Sequence, residues 1–337
     1  MTTRRALLSL VLTGGATLHL ASGAAGRFLA PRPSEAQQPG KAARVGFLRS
    51  GPLRPAWAEA FREGLRERGY SEGKNIVVEY RFTDGSLDPL PHLADELVRL
   101  KVDVIVASAG PATIAARNAT TNIPVVFVGV YEPMADGLVS SLARLGGNLT
   151  GLSQGATELF GKRLELLSEL VPKVARVAML WPPPNPISEV QLKGAERAAR
   201  TAGVALQPLP IRSAADFEPA FKAARGASGI LQTEDPFFTL NRARLVELAA
   251  ASRLPSVYGA KEYADAGGLL SYGSDLGDLY RRAATYVDQI LKGTKPGDLP
   301  VQYPAKFEMV INMKTAKTLG LTIPAAVLLR ADRMNEE

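Results

Sequence analysis

From residue 44 onward, short apolar runs alternate with longer stretches whose apolar positions recur every three or four residues. "RVGFLR" precedes "AWAEAFREGLRERGY", where Trp57, Ala60, Phe61 and Leu65 share one helical face ending at Gly69, and "NIVVEYRF" returns to β-branched residues. The helix "PLPHLADELVRLK", the strand "VDVIVAS", the helix "ATIAARNATT" and the strand "IPVVFVG" complete this half. Nearly continuous apolar strands separated by amphipathic helices predict a parallel sheet covered on both faces.

The second half repeats the order. "RVAMLW", "VQLKGAERAARTAG", "VALQPLPI", "DFEPAFKAARG", "SGILQT", "LNRARLVELAAAS" and "LPSVYG" again alternate strand and helix. Equivalent points keep their separation, Arg44 with Arg176 and Pro124 with Pro255. Two similar Rossmann-like α/β lobes are therefore expected. The Gly-rich connectors "GGNLTGLS" and "GGLLSYGSD" suit a hinge. The long helix "LYRRAATYVDQILKG" and the tail "FEMVINMKTAKTLGL" are too short for a third domain. The economical arrangement has three crossovers, with lobe 1 at 44–151 plus 273–302 and lobe 2 at 152–272 plus 303–337.

In open parallel sheets, ligands bind beyond the carboxyl ends of the strands. That rule selects the loops holding Arg49 and Ser50, Ser108 to Thr113, and Tyr131 and Glu132 in the first half. In the second half it selects Trp181 to Asn185, Glu234 and Asp235, and Tyr258 to Glu262. In "SAGPAT", small Ala109, Gly110 and Ala112 let backbone N–H groups approach a carboxylate, with the Ser108 and Thr113 hydroxyls and the helix dipole in support. The same residues also serve as an ordinary helix start. Arg49 suits a carboxylate, and Glu132, Glu234, Asp235 and Glu262 suit an ammonium. Tyr131, Trp181 and Tyr258 can wall an apolar side chain, although Trp181 equally suits packing beneath its own sheet.

Composition narrows the chemistry. The 337 residues contain no Cys and two His, which removes disulfides, thiolate nucleophiles and a His/Cys metal site. No G-x-S-x-G elbow or G-x-G-x-x-G is present, and "GATELFGK" departs from the P-loop spacing, so neither an enzyme nor a cofactor is expected. The formal charge of +7 is spread among acids rather than gathered in a stripe, which argues against nucleic acid. Arg4 and Arg5 before "ALLSLVLTGGATLHLA" have the form of a secretory signal over residues 1–36. Gly14, Gly15 and His19 disfavour a membrane anchor, and the paired arginines leave twin-arginine export open. A free periplasmic monomer is expected.

Motifs spread from Arg44 to Asp332 resemble one family. "FREGLRERGYSEGKNIVVEYRF", "GLVSSLARLGGNLTGLS", "ADAGGLLSYGSDL" and "RRAATYVDQILKGTKPGDLPVQYPAKFEMVINMKTAKTLGLTIP" are similar to ABC-transporter substrate-binding proteins, a family including tryptophan- and phenylalanine-binding members. The resemblance implies a type I periplasmic-binding-protein fold closing on a small molecule, an amino acid or aromatic carboxylate, for delivery to an inner-membrane ABC permease. A sensory receptor or, less favoured, a hydrolase are the other readings of such a module. Pro182 stands where the family commonly has Asn, Glu132 where it often has Asp, and Lys261 where it often has Arg.

Overall fold

The computed structural model describes residues 42–134, 137–138, 147–155 and 157–336. The export signal expected over residues 1–36 lies outside them. In lobe 1 the chain runs β1 (Ala43–Arg49), α1 (Pro55–Arg66), β2 (Ile76–Phe82), α2 (Leu90–Arg99), β3 (Val104–Ser108), α3 (Gly110–Ala119), β4 (Val125–Val130) and β5 (Leu149–Ser153). The five strands form one parallel sheet in the order β2-β1-β3-β4-β5. Alternation along β1 sends Val45 and Phe47 into one apolar layer and Leu48 into the other, so both faces are covered.

Lobe 2 continues with α4 (Thr157–Leu170), β6 (Arg176–Trp181), α5 (Pro186–Ala202), β7 (Ala205–Pro210), α6 (Phe217–Ala223), β8 (Gly229–Gln232), α7 (Pro236–Leu240), α8 (Arg242–Ala251), β9 (Val257–Tyr258), α9 (Lys261–Asp265) and β10 (Leu270–Ser274). Strands β7-β6-β8 are parallel, and a bridge between Ile230 and Ser256 links them toward β9 and β10. Two apolar layers again flank the sheet, with Val177 and Met179 in one and Ala178 and Leu180 in the other.

The chain then returns to lobe 1 as α10 (Leu276–Leu291), which buries Leu279, Tyr280, Ala283 and Val287 with Phe47 and Phe61. It crosses back to add β11 (Phe307–Asn312), α11 (Met313–Leu319), α12 (Ala325–Leu328) and β12 (Arg333–Asn335) to lobe 2. The sequence pattern predicts parallel strands throughout, but β11 runs antiparallel to β10. The physical reason is the crossing itself: β10 runs toward the connection and β11 starts from it. Neighbouring backbone segments are tied there by Ser153 N to Gln302 O (2.9 Å), Gln302 N to Gly151 O (3.1 Å) and Asp275 N to Lys306 O (3.2 Å).

Candidate functional site

The carboxyl ends of β1, β3 and β4 meet those of β6, β8 and β9 around a cavity between the lobes. About 70 Å³ of it is open to the centre of a water-sized sphere. One water needs about 10–15 Å³ on that measure, so the space admits a molecule of several heavy atoms.

The lobe 1 wall is cationic and hydroxylic. Arg49, at the end of β1 and 5% exposed, donates from Nη1 to Ser108 Oγ (2.7 Å) and to the Tyr280 hydroxyl (3.2 Å), and from Nε to Pro52 O (2.9 Å). The Ser108 and Tyr280 hydroxyls also bond to each other. The Arg49 guanidinium lies 4.6 Å from the Trp57 ring centroid, and Trp57 stacks on Tyr280. After Ser108 the backbone turns through Ala109 at φ +70°, a conformation that disfavours a β-carbon, and enters α3 at Gly110. Such strain beside a cavity is a common mark of function.

The lobe 2 wall is acidic. Asn185 caps α5 by accepting from Ile187 N (3.1 Å) and donates from Nδ2 to Asp235 Oδ2 (2.6 Å). Asp235 caps α7 by accepting from Phe237 N (2.7 Å). Burial pushes its carboxyl up to about 6, with the Asn185 amide and the Phe237 N–H pulling the other way. Glu234 is held differently. Its backbone is clamped by Gln191 in both directions (2.7 and 2.9 Å), and its Oε1 lies 2.9 Å from Nη1 of Arg163, a fully buried residue of α4. Burial raises the Glu234 carboxyl while Arg163 opposes the shift. Gly259 covers this ion pair so closely that a β-carbon there would sit 1.4 Å from Glu234 Oε1.

The lobes touch directly. A β-carbon on Gly110 would fall 1.9 Å from Ile187 Cδ1, and Arg54 Nη2 donates across the cleft to Thr239 O (3.2 Å). Tyr131, following β4, inserts into the lobe 2 core 5.7 Å from Phe160.

Of the residues selected from sequence, Arg49, Ser108, Ala109, Gly110, Tyr131, Asn185, Glu234 and Asp235 line the cavity. Pro111, Gly259 and Ala260 of the selected stretches line it as well, while the remaining candidates lie off its wall. Ser50 is buried beside it, Ala112 packs into the lobe 1 core, and the Thr113 hydroxyl turns back to Ala109 O (2.8 Å). Trp181 packs against the lobe 2 core and Tyr258 stacks on Tyr263 at 4.6 Å. Glu132 is half-buried outside the wall, and Glu262 lines a smaller neighbouring recess. Gln154, Gln191, Thr239 and Tyr280 also line the wall although no loop rule marks them, and Trp57, at the far end of the selected stretch that begins at Arg49, lines it too. Among the described residues no group of three His, Cys, Asp or Glu side chains could hold a metal ion, and no helix is long and apolar enough to cross a membrane.

Residues 45–335 match the family model described as ABC transporter substrate binding protein. A tyrosine-binding protein of Clostridioides difficile strain R20291 is 26% identical over 264 residues, 78% of this chain and 76% of that one. An ABC domain in complex with L-Trp from Streptococcus pneumonia superposes with a TM-score of 0.81 at 26% identity, covering 87% of this chain and all of that chain. A conserved domain protein from Vibrio cholerae superposes at 0.83 and 29% identity, with 88% and 100% coverage. The architecture is that of type I periplasmic binding proteins.

Proposed function

Because the chain belongs to the ABC transporter substrate-binding protein family, we propose that it is the extracytoplasmic receptor of an importer, closing its two lobes on an aromatic amino acid and delivering it to an ABC permease. One observation carries the choice of ligand. Arg163 compensates Glu234, which leaves Arg49 on lobe 1 and Asp235 on lobe 2 facing one cavity, neither in an ion pair among the described residues. A charge moved out of water without a partner costs several kcal/mol, so a closed cavity with one charge of each sign on opposite walls favours a net-neutral zwitterion.

The roles divide accordingly. Arg49, Ser108 and the first turn of α3 receive the carboxylate, and Asp235 receives the ammonium. Trp57, Tyr131 and Tyr280 supply aromatic surface for the side chain. The tyrosine- and L-Trp-binding relatives support that ligand class. Closure brings the charged walls together and excludes water, which strengthens both contacts. No covalent step is required.

The test is calorimetric titration of the purified protein with L-tryptophan, L-tyrosine and L-phenylalanine, beside the matching deaminated acids. At least one amino acid is expected to bind and to raise the melting temperature, by about 2.7 kcal/mol of stabilisation at a hundred times its Kd. Absence of binding by all three, or equal affinity for an amino acid and its deaminated analogue, removes the zwitterion assignment.

A further inference from the structure

The mouth of the cleft gathers a second set of charges that the cavity does not use. Arg54, just before α1 in lobe 1, and Arg242, at the start of α8 in lobe 2, donate to the same oxygen, Thr239 O, at 3.2 and 3.1 Å. Their donating nitrogens are therefore no further apart than the sum of those two distances. Arg62, Arg66, Arg81, Arg244, Arg281 and Arg282 each lie within 4.0 Å of a carboxylate, whereas neither Arg54 nor Arg242 forms an ion pair among the described residues. The guanidinium of Arg54 also sits 5.2 Å from the Trp57 ring, on the cavity wall.

Two guanidinium groups repel at such separations, and partial burial strengthens the repulsion. Arg54 registers it: burial first and Arg242 next lower its affinity for its proton, Glu262 opposes them, and Arg49 adds to the lowering. One carbonyl oxygen carries only a partial charge and takes one donor from each fork, of the five that a guanidinium presents. What satisfies paired guanidinium forks is a planar or tetrahedral oxyanion, held by two parallel N–H bonds from each.

We propose that Arg54 and Arg242 form a second binding site, for a small oxyanion of the phosphate or carboxylate type, which spans the mouth of the cleft and stabilises the closed lobes. Because one fork belongs to each lobe, the complete site exists only when the lobes are together, and an anion bound there shifts the population toward closure. The anion is either free in solution or an acidic tail on the molecule occupying the cavity, and the two sources are separable by experiment.

The purified protein in phosphate-free buffer is titrated with inorganic phosphate at constant ionic strength, without amino acid. A free-anion site gives a saturable rise in melting temperature and a smaller radius of gyration in solution scattering. Arg242→Met abolishes both, and Arg242→Lys retains part. In the second arm, L-tyrosine is compared with O-phospho-L-tyrosine. Tighter binding of the phosphorylated form by fivefold or more, abolished in Arg242→Met, assigns the anion to the ligand's tail. The unliganded melting temperature of each variant checks folding. The proposal is overturned if phosphate has no effect and the ratio of the two tyrosine affinities is the same in wild type and Arg242→Met. That result leaves the amino-acid reading of the cavity untouched, since L-tyrosine binding is read separately.

Discussion

The two walls of the cavity answer the same problem, a charge kept out of water, in opposite ways. On lobe 1, Arg49 is held by neutral groups alone, the Ser108 and Tyr280 hydroxyls, Pro52 O and the Trp57 ring, so its charge remains available. On lobe 2, Glu234 is neutralised from behind by Arg163, and Asp235 is held by the Asn185 amide and the Phe237 N–H. Glu234 and Asp235 both line the cavity, so what separates them is that only Glu234 has a cationic partner among the described residues. In the proposed reading, Arg163 and Glu234 support the wall, while Arg49 and Asp235 keep opposite charges for whatever enters. Substitutions that expose or erase one charge at a time should separate support from recognition.

The largest effect is expected at the support. Arg163→Met leaves Glu234 buried without its cation, which costs about 3–5 kcal/mol of stability in urea unfolding at pH 7. The carboxyl of Glu234, already raised, then rises further. A raised carboxylate is protonated in the folded state before it is in the unfolded chain, so the variant regains stability on acidification and loses it as pH increases. The double variant Arg163→Met/Glu234→Gln should recover most of the loss. A single variant as stable as wild type at pH 7, or a loss that does not change with pH, would show that the pair is not the support described.

Asp235→Asn comes next. Loss of a charge-assisted contact to an ammonium weakens binding by about 1.5–3 kcal/mol. In the wild type, with Asp235 at about 6, amino-acid affinity should be level above that pH and fall up to tenfold per unit below it, as protonation removes the partner. The unliganded protein has the reverse sign and gains stability as pH falls from about 6 toward the ordinary carboxylate range. Asp235→Asn should flatten both profiles. An unchanged affinity profile in the variant would exclude Asp235 as the ammonium partner.

These residues differ in how far the sequence exposed them. The strands "RVGFLR" and "RVAMLW", and the loops after β3, β4, β6 and β8, were readable because a strand's carboxyl end points to a shared mouth, and Ser108, Tyr131, Asn185 and Asp235 do reach the cavity. Ser50 follows β1 and Thr113 sits in the first turns of α3, yet one is buried beside the wall and the other bonds back to Ala109 O, because successive side chains of a turn or a helix point different ways. Arg163, Gln191 and Tyr280 sit on α4, α5 and α10 at positions that read as ordinary helix faces. Tyr280 reaches Ser108 only because α10 returns to lobe 1, a pairing 172 residues apart that no local pattern encodes. The antiparallel β11 was hidden for the same reason, since strand direction follows the crossing rather than the strand's own residues.

Closure itself can be tested without altering charge. Gly110→Ala places a methyl group where Ile187 Cδ1 now sits. Overpacking of this kind costs about 1–3 kcal/mol, and under the proposed hinge closure the contact is made in the closed arrangement and lost when the lobes part. Ligand affinity should fall by that amount while the unliganded melting temperature stays near wild type. Ile187→Ala added to Gly110→Ala should restore affinity. Failure of the second change to rescue the first would place the effect of Gly110 within α3 instead.

The smallest effect distinguishes the walls most sharply. Ser108→Ala removes one of the hydroxyls bonded to Arg49 but leaves Tyr280 OH and Pro52 O in place. The guanidinium keeps its position, and the loss is about 1 kcal/mol, near fivefold in Kd. Its signature lies in the ligand series. An amino acid and its deaminated acid should both weaken, because both present a carboxylate to lobe 1, while the matching aromatic amine is unaffected. Asp235→Asn should give the converse, sparing the deaminated acid and penalising the amine. If both substitutions weaken all three ligands alike, the walls do not divide the charges, and the cavity recognises shape without distinguishing the ends of its guest.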